Sequence, residues 1–210
     1  MTYFRNLSLL GLVLAVAGGC NKSAPTTPNY AGAINTYYQA HPACLWTNEK
    51  QFPVQSAPDD AKTQGYDALV DAGLLTRTTS EKKIVIISKR ENNYDLSQNG
   101  RQAWTADPSQ PGYGNFCYGT PKVSMIDSNS PTSNQPGATV TVNYHYTLAN
   151  VPTWASSAET QTAFPSVKDN LSQPQAATAT LTNSNNGWQV TSAPGSSAQG
   201  TKSSDGKIVQ

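Results

Sequence analysis

Charge is scarce in this 210-residue chain: Lys, Arg, Asp and Glu make up only 13% of it, 14 basic against 13 acidic. Setting aside residues 1–19, which hold Arg5 and no acid, leaves 13 of each sign. Such a balance argues against a strongly basic nucleic-acid binder and equally against a polybasic membrane-surface protein. Histidine is scarcer still, at two residues. Neither His41, in "AHPAC", nor His145, on an alternating segment, belongs to an HxH, HExxH or Cys/His spacing, so no metal centre is expected. With three cysteines and no CxxC, a redox-catalytic reading is disfavoured. Phosphate-cradling GxxxxGK[ST] and GxGxxG are absent, as is the GxSxG of serine hydrolases. Triads and paired carboxylates assemble across a fold, so spacing along the chain neither finds nor removes them. The expectation is a non-catalytic protein without a cofactor.

The one sustained apolar run is Leu7 to Val16, broken only by Ser8 and Gly11. It is too short to cross a bilayer as a mature helix. Arg5 precedes it, and Ala17-Gly18-Gly19 lead to Cys20, the order of a signal peptide. This stretch resembles the lipobox of bacterial lipoproteins, with Ala17 standing where Leu is commoner. The resemblance implies cleavage before Cys20, acylation of its thiol and its new amino terminus, and stable anchoring by several acyl chains. Asn21 in place of Asp implies the outer membrane, facing the periplasm. An ordinary secretory signal with an incidental Cys, or an N-terminal anchor, are the alternatives. Residues 20–29, "CNKSAPTTPN", read as a tether.

With Cys20 assigned to lipid, Cys44 and Cys117 remain, and in an oxidising compartment they are expected to pair. The alternative is two separate buried thiols. A bond would close a loop of roughly 70 residues, for which the chain-entropy model gives about 4 kcal/mol of stabilisation.

Residues 30–40 place Ile34, Tyr37 and Tyr38 at helical spacing, and His41-Pro42 ends the run. Asp59 or Asp60 can cap a second helix with Tyr66, Leu69, Val70 and Leu74 on one face and Gly73 near its end. "KKIVIIS" (82–88) reads as a strand, "NNYDLS" as a second short one, and Ser97 as the cap of a helix containing Ala103 and Trp104. Helix, "AGLL", strand and "YDLSQNGRQAW" together resemble the second half of a winged-helix domain over about residues 60–104. DNA-binding members present Arg, Lys, Asn or Gln from the helix before the wing. Here that helix carries one Lys and two Asp, so nucleic acid is not expected as a partner.

"DPSQPGYGNFCYG" (107–119) is rich in turn residues and marks a candidate boundary. Beyond it, "PKVSMID" (121–127) reads as a strand. "ATVTVNYHYTL" alternates strictly, with Val140, Val142, Tyr144, Tyr146 and Leu148 on one face and Thr139, Thr141, Asn143, His145 and Thr147 on the other. "ATATLTN" (177–183) alternates likewise, and "NNGWQV" turns into a last strand. Between them "VPTWASSAETQTAFP" suggests a short helix with Ser156 and Glu159 at capping-box spacing. The expected fold is α+β: a small winged-helix-like unit (30–106), then a four-stranded antiparallel sheet module with a short helical crossover (107–191), then a disordered tail (192–210).

Tyr113, Phe116 and Tyr118 surround Cys117, and Tyr37, Tyr38 and Trp46 surround Cys44. Core packing around the bridge is the default reading. A partly exposed cluster would instead form a binding surface, since interface hot spots favour Tyr and Trp. Asn143 and His145, on the polar face, are the rival binding residues. The functional expectation is a lipid-anchored binding or adaptor protein with an envelope protein as partner. A small-molecule or glycan-binding lipoprotein and an envelope hydrolase are the alternatives.

Overall fold

The computed structural model describes residues 28–84 and 87–196; the signal, Cys20 and most of the tether lie outside the described residues. The protein is mixed α/β, organised on a curled antiparallel sheet. Helix α1 is Tyr30–Ala40, capped by Asn29 and burying Tyr30, Ile34 and Tyr38. Three short strands follow: β1 (Ala43–Cys44), β2 (Lys50–Gln51) and β3 (Val54–Ser56). Helix α2, Ala61–Asp71, is capped by Asp60, whose carboxylate accepts from the Lys62 amide at 2.9 Å. Gly73, with φ of 73°, then turns the chain into a long hairpin of β4 (Leu75–Ile84) and β5 (Ile87–Leu96).

The strand expected over 82–88 is therefore a misreading. Pairing runs from Leu75↔Leu96 to Ile84↔Ile87, so that apolar run spans the end of one strand and the start of the next. The Thr-rich stretch before it favours strand as strongly, and extends β4 back to Leu75. Ser97 caps α3 (Gln98–Ala103) as expected, but Trp104 opens β6 (Trp104–Ala106) instead of closing the helix.

The expected linker over 107–119 is also corrected. Only its first half is turn; from Tyr113 it enters β7, Tyr113–Asn129, a 17-residue strand. The alternating segment is β8 (Thr139–Ala149), with Val140, Val142 and Tyr144 buried. A 3-10 turn (Thr153–Ser156) leads to α4 (Ala158–Ala163) and α5 (Pro165–Ser172). Ser157, not Ser156, caps α4, accepting from the Thr160 amide. Strands β9 (Gln175–Ser184) and β10 (Gly187–Ser196) complete the fold. Strand β10 thus runs five residues past the point where the tail was expected to begin.

Among the described residues the main sheet has seven strands, β1-β7-β8-β9-β10 in order with β2 and β6 also paired to β7: the segment after residue 107 supplies β7 to β10, and the three strands added to the expected four come from before it. The long β7 makes this possible, pairing β1, β2 and β6 along its first half and β8 along its second. A second sheet has the order β3-β5-β4. Helix α1 packs Tyr30, Ile34 and Tyr38 onto Val140, Val142, Tyr144, Ala177, Ala179 and Leu181. Its partners are thus in 107–191, not in the 30–106 segment to which it was expected to belong. A second core joins Tyr66, Leu69, Leu74, Leu75 and Tyr94 to Phe116, with Trp46, Trp104, Trp154 and Phe164 around them. Packing is continuous across residue 107.

Candidate functional site

Cys44 and Cys117 form the expected disulfide, between directly paired residues of β1 and β7. On either side of Cys117 on β7, Phe116 is fully buried and Tyr118 is 4% exposed. For these two the default reading, core packing around the bridge, is the one the structure shows, and the alternative of a partly exposed binding surface is corrected: strand alternation turns both inward. Tyr118 gives its hydroxyl to the Asn170 amide as acceptor at 2.7 Å, and burial raises its pKa. Tyr113, at the start of β7, is 36% exposed.

The surface that emerges at this junction belongs to other residues. Buried Asn115 behaves as a side-chain rung of backbone, accepting from the Trp46 amide at 3.2 Å and donating to the Trp46 carbonyl at 2.6 Å. This clamp holds the Trp46 indole among Phe52, Trp104, Phe116 and Phe164, at centroid separations of 6.0–6.5 Å. Beside it, Gly65 in α2 leaves room for Phe164, whose ring tip a Cβ there would approach to 3.1 Å. Trp46, Tyr66 and Phe164 thereby wall a cavity of about 190 Å³, with Lys50, Lys62 and Gln64 at its mouth.

Ala61, Gln64 and Ala163 are shared with an adjoining groove of about 680 Å³ between α2 and α4. Five carboxylates line that groove: Asp59, Asp60, Asp67, Asp71 and Glu159. Asp67 is tied back at 2.7 Å by both the Arg77 guanidinium and the Tyr94 hydroxyl. Burial, with Asp60 adding a smaller effect, raises the Tyr66 pKa, so this wall is a neutral phenol at ordinary pH.

Asn143 and His145 line neither the cavity nor the groove; alternation along β8 puts them on the sheet face opposite α1. Asn143 donates to Ser128 and accepts from Thr178. His145 Nδ1 sits 3.0 and 2.8 Å from the two oxygens of Asp127, with side chains 36% and 31% exposed. Such an open His–carboxylate pair lacks the enclosure that a hydrolytic centre uses to strengthen its electrostatics. His41 ends α1, its Nδ1 against the Tyr37 carbonyl and its ring stacked on Tyr37 at 4.0 Å. Among the described residues no three His, Cys, Asp or Glu side chains come together as a metal centre.

Trp46 and Phe164 escaped sequence reasoning as a pair because 118 positions separate them. The available signal was weak: an aromatic two residues after Cys44 and another just before Pro165, which opens α5. The fold defines a mixed α/β protein with a disulfide-stapled junction and an aromatic cavity opening onto an acidic groove. No protein family, curated protein or solved structure matches this chain.

Proposed function

We propose that this is a lipid-anchored, periplasm-facing, non-catalytic binding or adaptor protein of the bacterial outer membrane, tethered through Cys20. The observation that carries the reading is the aromatic cavity at the junction. At about 190 Å³ it is below the roughly 300–1,000 Å³ usual for small-molecule pockets, and it suits one anchoring side chain of a protein partner. The groove beside it supplies the polar rim that such interfaces carry.

The winged-helix reading belongs here too. Strand order β3-β5-β4, with α2 before the β4–β5 hairpin, supports it. Carboxylates along α2 and α4 suit a protein surface and repel a phosphate backbone, so nucleic acid is not the partner.

The test is affinity purification from chemically cross-linked cells, comparing the native chain with Cys20→Ala and with Gln64→Trp, which covers the cavity mouth from an exposed helical position. One dominant envelope protein, lost in both variants, is the expected result. A partner kept by Gln64→Trp would move the interface away from the cavity. No specific partner with the native chain would count against the adaptor reading altogether.

A further inference from the structure

The open sheet face carries an arrangement that the junction does not use. Beta alternation puts Tyr144 and Tyr146 on the α1 side, and His145 between them on the outer side. Across on β7, Val123 pairs with Tyr146 and Ile126 with Tyr144, both facing inward, while Met125 pairs with His145. Register shifts on either side of Met125 insert Ser124 and Asp127 as extra residues. These bulges bring three side chains of β7 to one residue of β8. Ser124 Oγ donates to the His145 carbonyl at 3.1 Å, Asp127 holds its Nδ1, and Met125 lies directly opposite.

Met125 is also 56% exposed, one of two large apolar side chains in that state among the described residues. Directly opposed strand residues have Cβ atoms about 4.5–5.5 Å apart, and Met has three rotatable bonds with which to bring its sulfur toward the imidazole.

We propose that Met125 Sδ and His145 Nε2 bind a soft monovalent cation of the Cu(I) and Ag(I) class, with Asp127 as a positioning residue. With Nδ1–H donated to Asp127, the Nε2 lone pair is the one left for a metal, and a carboxylate on the far nitrogen is the usual support of a ligating histidine. Imidazole alone would accept Zn(II) or Cu(II) as readily; the thioether selects the softer ions. One N and one S donor suit the low coordination numbers these ions accept.

The site can be read directly, because the chain has two methionines, Met1 and Met125, and two histidines. The full-length chain carrying Cys20→Ala, which removes the thiol outside the disulfide, is labelled at Met methyl and His nitrogen positions. It is titrated with Ag(I) in detergent micelles and followed by NMR. The expected result is concerted movement of the Met125 methyl and His145 Nε2 signals, saturating at one ion per chain. Met125→Leu, of similar volume at an exposed position, weakens binding at least tenfold. Asp127→Asn mixes the His145 tautomers, seen in the nitrogen shifts, and weakens binding several-fold while the Met125 signal still responds. Binding unchanged in Met125→Leu, saturation at His41, or no concerted shift at one equivalent would each overturn the proposal.

Discussion

Tyr38 and Tyr144 show how far a single side-chain contact depends on its surroundings. Their hydroxyls meet at 2.7 Å between α1 and β8, 106 residues apart in the chain. Burial pushes the Tyr38 pKa up to about 12, and raises that of Tyr144 further, with Tyr38 itself contributing. Both groups bind their protons more tightly folded than unfolded, where a tyrosine titrates near 10. Their contribution to stability is therefore complete below about pH 10 and is lost as pH rises through the folded values. An alkaline titration by ultraviolet absorbance and circular dichroism should show this pair ionising after the other tyrosines and together with loss of structure. Tyr144→Phe leaves a buried hydroxyl without its partner and should cost about 1–2 kcal/mol in urea unfolding. That Tyr144 faces inward was legible from strict alternation along β8. Its partner was not, because a helical face says which residues are buried and not what they meet.

Among the elements, the end of α2 and the start of α3 are held together by one serine and one glycine. Ser97 Oγ accepts from the Gly100 amide at 2.8 Å and donates to the Gly73 carbonyl at 2.6 Å, tying the end of one helix to the start of another. Gly100 packs directly on the Leu74 carbonyl, where a Cβ would collide with backbone. Ser97→Ala should lower stability by about 1–2 kcal/mol, and Gly100→Ala by more, since backbone rather than a flexible side chain must move; chemical denaturation of both variants checks the order. The cap at Ser97 was readable from the sequence, whereas Asp59 and Asp60 both stood before the second helix and the structure chose Asp60. At 156–157 two adjacent serines compete, and the preceding 3-10 turn consumes Ser156, leaving Ser157 to cap. A similar ambiguity produced the misplaced strand over 82–88. Propensity marks β-branched residues but is blind to where a ribbon reverses.

For the molecule as a whole, the Cys44–Cys117 bridge is the long-range constraint, with a sequence separation of 73. Closing a loop of that size restricts the unfolded chain by about 4 kcal/mol in the chain-entropy model. For a domain of this size, each kcal/mol shifts the midpoint by roughly 2–4 °C. Reduction, or a paired Cys44→Ala and Cys117→Ala replacement, should therefore lower Tm by about 10 °C in calorimetry. The loss should reach the Trp46 environment, because Leu45 and Trp46 bond to Phe116 and Asn115 one and two residues before Cys117. Intrinsic tryptophan fluorescence would report it.

The sequence by itself determined the local and periodic features of this protein. Helical faces at 30–40 and through Tyr66, Leu69 and Val70, alternation over 138–148 and 177–183, the cap at Ser97, and the pairing of two remaining cysteines all rest on neighbours or on elimination. The tertiary structure alone decided which segments share a core. Helix α1 joins the sheet of β8 to β10 across 100 residues of chain, and β7 absorbs most of what composition presented as a linker. Glycine and proline content cannot distinguish a turn-rich linker from a strand that needs small residues for close approach, as Gly114 does where Trp104 crosses it. The aromatic cavity and the Met125–His145 pairing have the same origin. Each depends on strand register and helix packing, which follow from burying the whole apolar surface at once and leave no short-range mark in the chain.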